Sequence, residues 1–115
     1  MIMLLLNHTS EVDARDNEGE TALMIAAWHG CTPVVKALLK KGADVNATTN
    51  ESAYYHPGHS TALMFAAAEG HTQTVRVLLA NGANVEGKNK AGETALLLAQ
   101  RADSKEIARI LRIEN

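Results

Sequence analysis

One cysteine, one tryptophan, one phenylalanine and two tyrosines are all that these 115 residues hold of those types, and each scarcity closes off a class of answer. Cys31, standing alone, can make no disulfide within the chain, which suits a reducing compartment and an intracellular, cytoplasmic protein. Aromatic residues make up 3% of the chain against 46% hydrophobic residues, so apolar burial has to be built from Ala, Leu, Val and Ile, which pack thin layers better than a deep centre. A formal net charge of −2 supplies no general pull toward phosphate backbones or anionic lipid, so neither nucleic acid nor membrane is an expected partner. The opening MIMLLL lacks the basic flank, the length and the small-residue cleavage site of a secretory signal, and no other run is long enough to cross a bilayer. Also missing are a CxxC or HExxH pair, a glycine-rich phosphate cradle and an ordered nucleophile, base and acid. No enzyme, cofactor or metal is therefore expected.

What is present is repetition. TALMIAAWHG at 21–30 returns as TALMFAAAEG at 61–70 and, degraded, as TALLLAQRAD at 94–103. VVKALLKKGADVNA at 34–47 recurs as TVRVLLANGANVEG at 74–87, and its ghost, MIMLLLNHTSEVDA, opens the chain with Leu5 and Leu6 aligned under Leu38 and Leu39. The period is 33, with seven additional residues between the first and second full units.

Each unit reads as helix, tight turn, helix and extended connection. Thr21 is the expected N-cap of a first helix whose Ala22, Leu23, Ile25, Ala26 and Ala27 make a narrow surface for close packing, and Gly30 ends it. Thr32-Pro33 opens a second helix, where proline forfeits only an N–H that would be unpaired anyway. Val34, Val35, Leu38 and Leu39 supply the buried stripe, and Gly42 stops the helix before the extended ADVNA. Two short helices cannot bury their apolar faces alone, so such units must stack. The expectation is an all-α solenoid of about three and a half repeats with extended fingers: a partial unit at 1–14, units at about 15–47 and 48–87, the latter with the seven-residue finger insertion, and a C-terminal cap at 88–115 with an eroded second half.

These units closely resemble the ankyrin repeat family. Asp16, Gly19, Thr21, Leu23, Ala26, Ala27, Gly30, Val34, Val35, Leu38, Leu39, Gly42, Ala43 and Asn46 fall on its pattern. The family's proline is replaced by Ala22, Ala62 and Ala95, and its histidine by Met24, Met64 and Leu97, a loss expected to weaken each turn slightly. Arg101, Asp103, Lys105, Glu106, Arg109, Arg112 and Glu114 look like the polar load of a C-terminal cap. The apolar Met1 to Leu6 has no such cover, so the expectation there is either missing repeats of a longer array or contact with another chain, including self-association.

The inserted stretch NESAYYHPGH, 50–59, is the conspicuous departure. Tyr54, Tyr55, His56, Pro57, Gly58 and His59 should project from a finger tip, where the tyrosines offer contact area to a partner at low entropic cost. A solvated Pro57-Gly58 turn is the plainer reading. A metal site of His56 and His59 with Glu51 lacks organised spacing, and a tyrosine pair folded back on the helices fits either of the first two readings. The resemblance places Trp28 and His29 in a concave groove, at a slot filled downstream by Ala68 with Glu69 and Arg101 with Ala102. Trp28 is thus a variable residue and the leading candidate anchor. His71 and Cys31 fall in the inter-helix turns and have structural readings.

Charge is graded along the chain. Glu11, Asp13, Asp16, Glu18 and Glu20 mark the first connection, and Lys88 and Lys90, ahead of Arg101, the last. A solvated surface is the plainer reading, and the sharper one is a groove running from acidic to basic that would steer and orient a partner of opposite polarity. The resemblance implies a non-catalytic protein-binding module, with Glu18, Glu20, Trp28, His29, Tyr54, Tyr55, His56, His59, Glu69, Lys90 and Arg101 as its candidate contacts.

Overall fold

The computed structural model describes residues 12–50 and 56–114. Six helices stand among them: α1 Ala22–His29, α2 Thr32–Lys40, α3 Ala62–Ala68, α4 Thr72–Ala80, α5 Ala95–Arg101 and α6 Lys105–Glu114. They come in pairs because each unit repeats the same start and stop chemistry. The hydroxyls of Thr21, Thr61 and Thr94 accept the backbone N–H of Met24 (3.3 Å), Met64 (3.3 Å) and Leu97 (3.2 Å), satisfying donors that a helix leaves orphaned in its first turn. In the first unit the thioether of Met24 accepts in return from the Thr21 N–H at 3.4 Å, so sulfur completes the capping box. Gly30 at φ 69° and Gly70 at φ 77° then turn the chain through the left-handed region after α1 and α3.

The pairs stack into the expected helical-repeat solenoid. Helices α1, α3 and α5 lie side by side in one layer, and α2, α4 and α6 in the other. Ala26, Ala27, Ala66, Ala67 and Ala99 are fully buried in the first layer, where small side chains let neighbouring helices approach closely. Leu23, Leu63, Leu38, Leu78 and Leu111, with Val35 and Val75, fill the seam; each such side chain contributes about 1.5–3 kcal/mol on leaving water. Val34 and Leu39, expected in the same stripe, are half-buried at its edge.

The last unit departs from expectation. Its second half is not eroded as structure: α6 runs ten residues and buries Ile107, Ala108 and Leu111. The sequence resemblance fades because outward positions carry Lys105, Glu106 and Arg112 where the unit before has Thr72, Gln73 and Leu79, while the inward Ile107, Ala108 and Leu111 are apolar. Asp103 replaces the turn glycine and adopts φ 58°, a conformation that Asp tolerates better than most side chains. The apolar start, residues 1–6, lies outside the described residues.

The connections are hairpins built on one device. Asp16 Oδ1 accepts the N–H of Glu18 (2.9 Å) and Glu20 (2.8 Å), and Asn89 Oδ1 accepts those of Ala91 (2.9 Å) and Glu93 (3.0 Å). In the central finger Thr49 takes that place, its hydroxyl accepting from Ser60 N–H at 3.0 Å. His59 at φ 60° occupies the corner held elsewhere by Gly19 at 77° and Gly92 at 76°. Adjacent fingers are tied by Asn50 N–H to Glu18 C=O (3.0 Å) and Lys90 N–H to Gly58 C=O (2.8 Å).

Candidate site where the fingers meet the inner helices

Trp28 sits in the last turn of α1 and is 37% exposed. Its ring stacks on Phe65 of α3, centroids 5.4 Å apart and planes at 29°. Phe65 in turn receives the edge of His56 at 5.1 Å and 81°. His56 Nε2 meets Glu20 Oε2 at 2.9 Å, and the two side chains are 6% and 19% exposed. The central finger thus lays His56 against the inner layer and bonds it to a carboxylate of the preceding finger.

This arrangement corrects one expectation. His56 does not project from the finger: the apolar face of Phe65 and the charge of Glu20 pull it inward. His59 stays exposed, but its place is the left-handed corner at the base of the hairpin. Tyr54 and Tyr55 lie outside the described residues, as does Glu51. Of the metal reading, His56 already has Nε2 on Glu20, and among the described residues no group of three His, Cys, Asp or Glu side chains is placed to hold an ion.

Two open hollows flank the Trp28–Phe65 ridge. The larger, about 310 Å³, is lined by Glu20, Met24, Ile25, Trp28, His29 and Phe65. The smaller, about 140 Å³, shares Trp28 and Phe65 and adds His56, Met64, Ala68 and Leu98 with Glu69 and Glu93. Phe65 is an addition to the sequence-based candidates, and Ile25, expected on the packing surface of the first helix, is half-buried on the wall of the larger hollow. The available signal was the slot Ile25, Phe65, Leu98, where the one phenylalanine replaces an aliphatic residue beside the Trp28 slot of the unit before.

Electrostatics at the site are set by partial burial. Desolvation, with the neighbouring Asp16 carboxyl, pushes Glu20 above its ordinary value, against the opposing pull of His56. Burial also works against ionised Asp16, yet the donors of Glu20 and Glu18 outweigh it and hold that carboxyl below its usual range. Glu93 is lowered by the Asn89 side chain, whose Nδ2 donates to Oε1 at 2.9 Å, and then by Arg101, whose guanidinium grips Oε2. The charge of Arg101 is therefore engaged within the protein. Glu69, His29 and Lys90 are exposed, and Glu18 is half-buried.

His71 has a structural task. Its Nε2 donates to the Trp28 carbonyl at 2.8 Å, capping the end of α1 from the next unit. The ring fits because residue 30 is glycine, where a Cβ would stand 2.5 Å from His71 Nδ1.

The arrangement sets an aromatic ridge, two hollows and carboxylates on the stacked helices. Among the described residues no helix is long and apolar enough to cross a membrane. Comparison with known proteins agrees with the repeat architecture. The chain is 38% identical over 52 residues to an ankyrin repeat protein of fowlpox virus (strain NVSL), covering 45% of this chain and 12% of that protein. It is 42% identical over 53 residues to protein fem-1 homolog A of Danio rerio, covering 44% and 9%. It is 45% identical over 47 residues to human ankyrin repeat domain-containing protein 29, covering 40% and 16%. These matches thus span 16% or less of each relative's length. The family model for ankyrin repeats, in three copies, matches residues 1–49 and 51–115, and with nearly every residue accounted for, the chain belongs to the ankyrin repeat family.

Proposed function

We propose that this chain is a non-catalytic module that binds a protein partner in the groove between its fingers and inner helices, with Trp28 as anchor. The observation that carries the reading is the exposed indole, braced by Phe65 and flanked by hollows on either side. Burying a large aromatic side chain that is already held in place costs little ordering entropy, which is what an interface anchor needs. His29, Glu20 and Glu69 line the hollows, and Glu18, Lys90, Arg101 and His59 lie on the finger and helix ends around them. Tyr54 and Tyr55 of the inserted finger are further candidate contacts. His56 serves the site from beneath, as a brace for Phe65. The same reading places the chain inside the cell, where the exposed thiol of Cys31 stays reduced.

The test is affinity capture from a native extract with four baits: the intact chain, Trp28→Ala, a chain lacking residues 51–57, and Lys36→Glu on the exposed outer face of α2. Folding of each bait is verified by circular dichroism. A partner held by the intact chain and by Lys36→Glu, but lost with Trp28→Ala, supports the groove. Equal capture by the intact and Trp28→Ala baits would overturn it. The deletion reports whether the inserted finger adds to the contact.

A further inference from the structure

The chemistry of the larger hollow narrows the class of partner, an inference that rests on the groove reading above. Four of its six lining residues, Met24, Ile25, Trp28 and Phe65, are apolar, and one carboxylate, Glu20, stands among them. We propose that this hollow receives an arginine side chain of the partner, its stem lying along Trp28 and its guanidinium on the Glu20 carboxylate.

Charge complementarity selects that occupant over the others. An acidic side chain would meet Glu20 head on. A purely apolar one would strip more water from a carboxylate that burial already penalises, and would return nothing to it. A long side chain that is apolar along its stem and cationic at its head satisfies both walls and carboxylate. Arginine suits the site better than lysine, because a planar guanidinium stacks on an indole while donating at its edge, whereas an ammonium is compact and strongly hydrated. Glu20 has capacity to accept: His56 engages Oε2, and a carboxylate offers about four lone-pair sites. The adjoining hollow carries Glu69 and Glu93 on its lining, so the field there has the same sign. The opposing groups are His56, on Glu20 Oε2 itself, His29 at the edge of the larger hollow and Arg101, whose charge Glu93 holds.

The experiment is selection of a random linear peptide library on the full chain, then titration of the selected peptides by isothermal calorimetry, a readout that also serves the variant lacking Trp28, the one tryptophan in the sequence. Selected peptides should be enriched in arginine. Replacing that arginine by alanine should weaken binding about tenfold or more, as loss of one charge-assisted contact does, with lysine intermediate. Glu20→Gln should weaken the same peptides by about tenfold, and Glu20→Lys, which leaves every apolar wall in place, should abolish their binding. Circular dichroism and thermal melts confirm that both variants fold. Peptides that need Trp28 but carry no arginine and ignore Glu20→Gln overturn the arginine assignment while leaving the groove reading intact. Peptides indifferent to Trp28→Ala, or a library that yields none, overturn both.

Discussion

At the scale of single residues, one slot shows how small a change alters the link between units. Asn46 uses both ends of its amide: Oδ1 accepts the Asn84 N–H at 2.7 Å and Nδ2 donates to the Gly82 carbonyl at 3.1 Å. One repeat earlier the slot holds Asp13, whose Oδ1 accepts the Asp44 N–H at 2.9 Å but which has no amide to offer the Gly42 carbonyl. Asp13→Asn should supply that donor and raise stability by about 1 kcal/mol, the usual net worth of a hydrogen bond. Urea denaturation showing no gain would count against the shared geometry of the two links. The second prediction concerns Glu20, whose raised value means that the folded state holds its proton more tightly than the unfolded chain. Its contribution is then fullest below its ordinary value of 4.5 and is lost as pH rises through the raised one. Asp16 and Glu93 run the other way, stabilising above their ordinary values and losing that as pH falls through their lowered ones. Glu20→Gln should therefore gain on the parent protein as pH climbs from 4.5, measured as unfolding free energy across that range. A constant difference would remove the burial argument.

At the scale of elements, much of the molecule was legible. Caps at Thr21, Thr61 and Thr94 and the glycine stop at 30 could be read because they are local: three or four residues settle them. The fold of α6 could not be judged by resemblance to its siblings, since resemblance counts outward and inward positions alike while packing tests only the inward ones. His56 was misplaced for a related reason. Its neighbours Glu20 and Phe65 stand 36 and nine positions away, and no local pattern announces them. The cap on α1 likewise comes from outside the helix, through His71. His71→Ala removes the donor from the Trp28 carbonyl at the α1–α3 junction, and about 1–2 kcal/mol of stability should go with it. Chemical denaturation measures this, and hydrogen exchange at the amides of Gly30 and Cys31, which close the end of α1, should quicken. Unchanged protection there would show that the cap carries nothing.

At the scale of the whole molecule, stability is a chain of nearest-neighbour contacts. Leu78 and Leu111 are both fully buried in the outer layer, but α4 is packed on both sides, by α2 and α6, whereas α6 packs chiefly against α4 and its own partner α5 among the described helices. Alanine at either site should cost about 2–5 kcal/mol in local packing, with different consequences. Leu78→Ala should shift one unfolding transition as a whole, because it weakens the joint through which the units cooperate. Leu111→Ala should loosen the last pair first, giving a broadened transition in urea and early exchange of α6 amides. Identical, sharp transitions for both variants would show a single cooperative core rather than a stack.

The residue order by itself determined the repeat, its period, the paired helices and the layered build, because each follows from spacing and from caps that lie within a few residues of one another. It also marked Trp28 as a position not spent on the common core, since its counterparts are alanine and arginine. Only the tertiary structure decided that Phe65 braces Trp28, that His56 turns inward to Glu20 and that Arg101 is held by Glu93. Those contacts join side chains from different units, and their strength depends on distance, burial and local charge, quantities that exist only once the units are stacked.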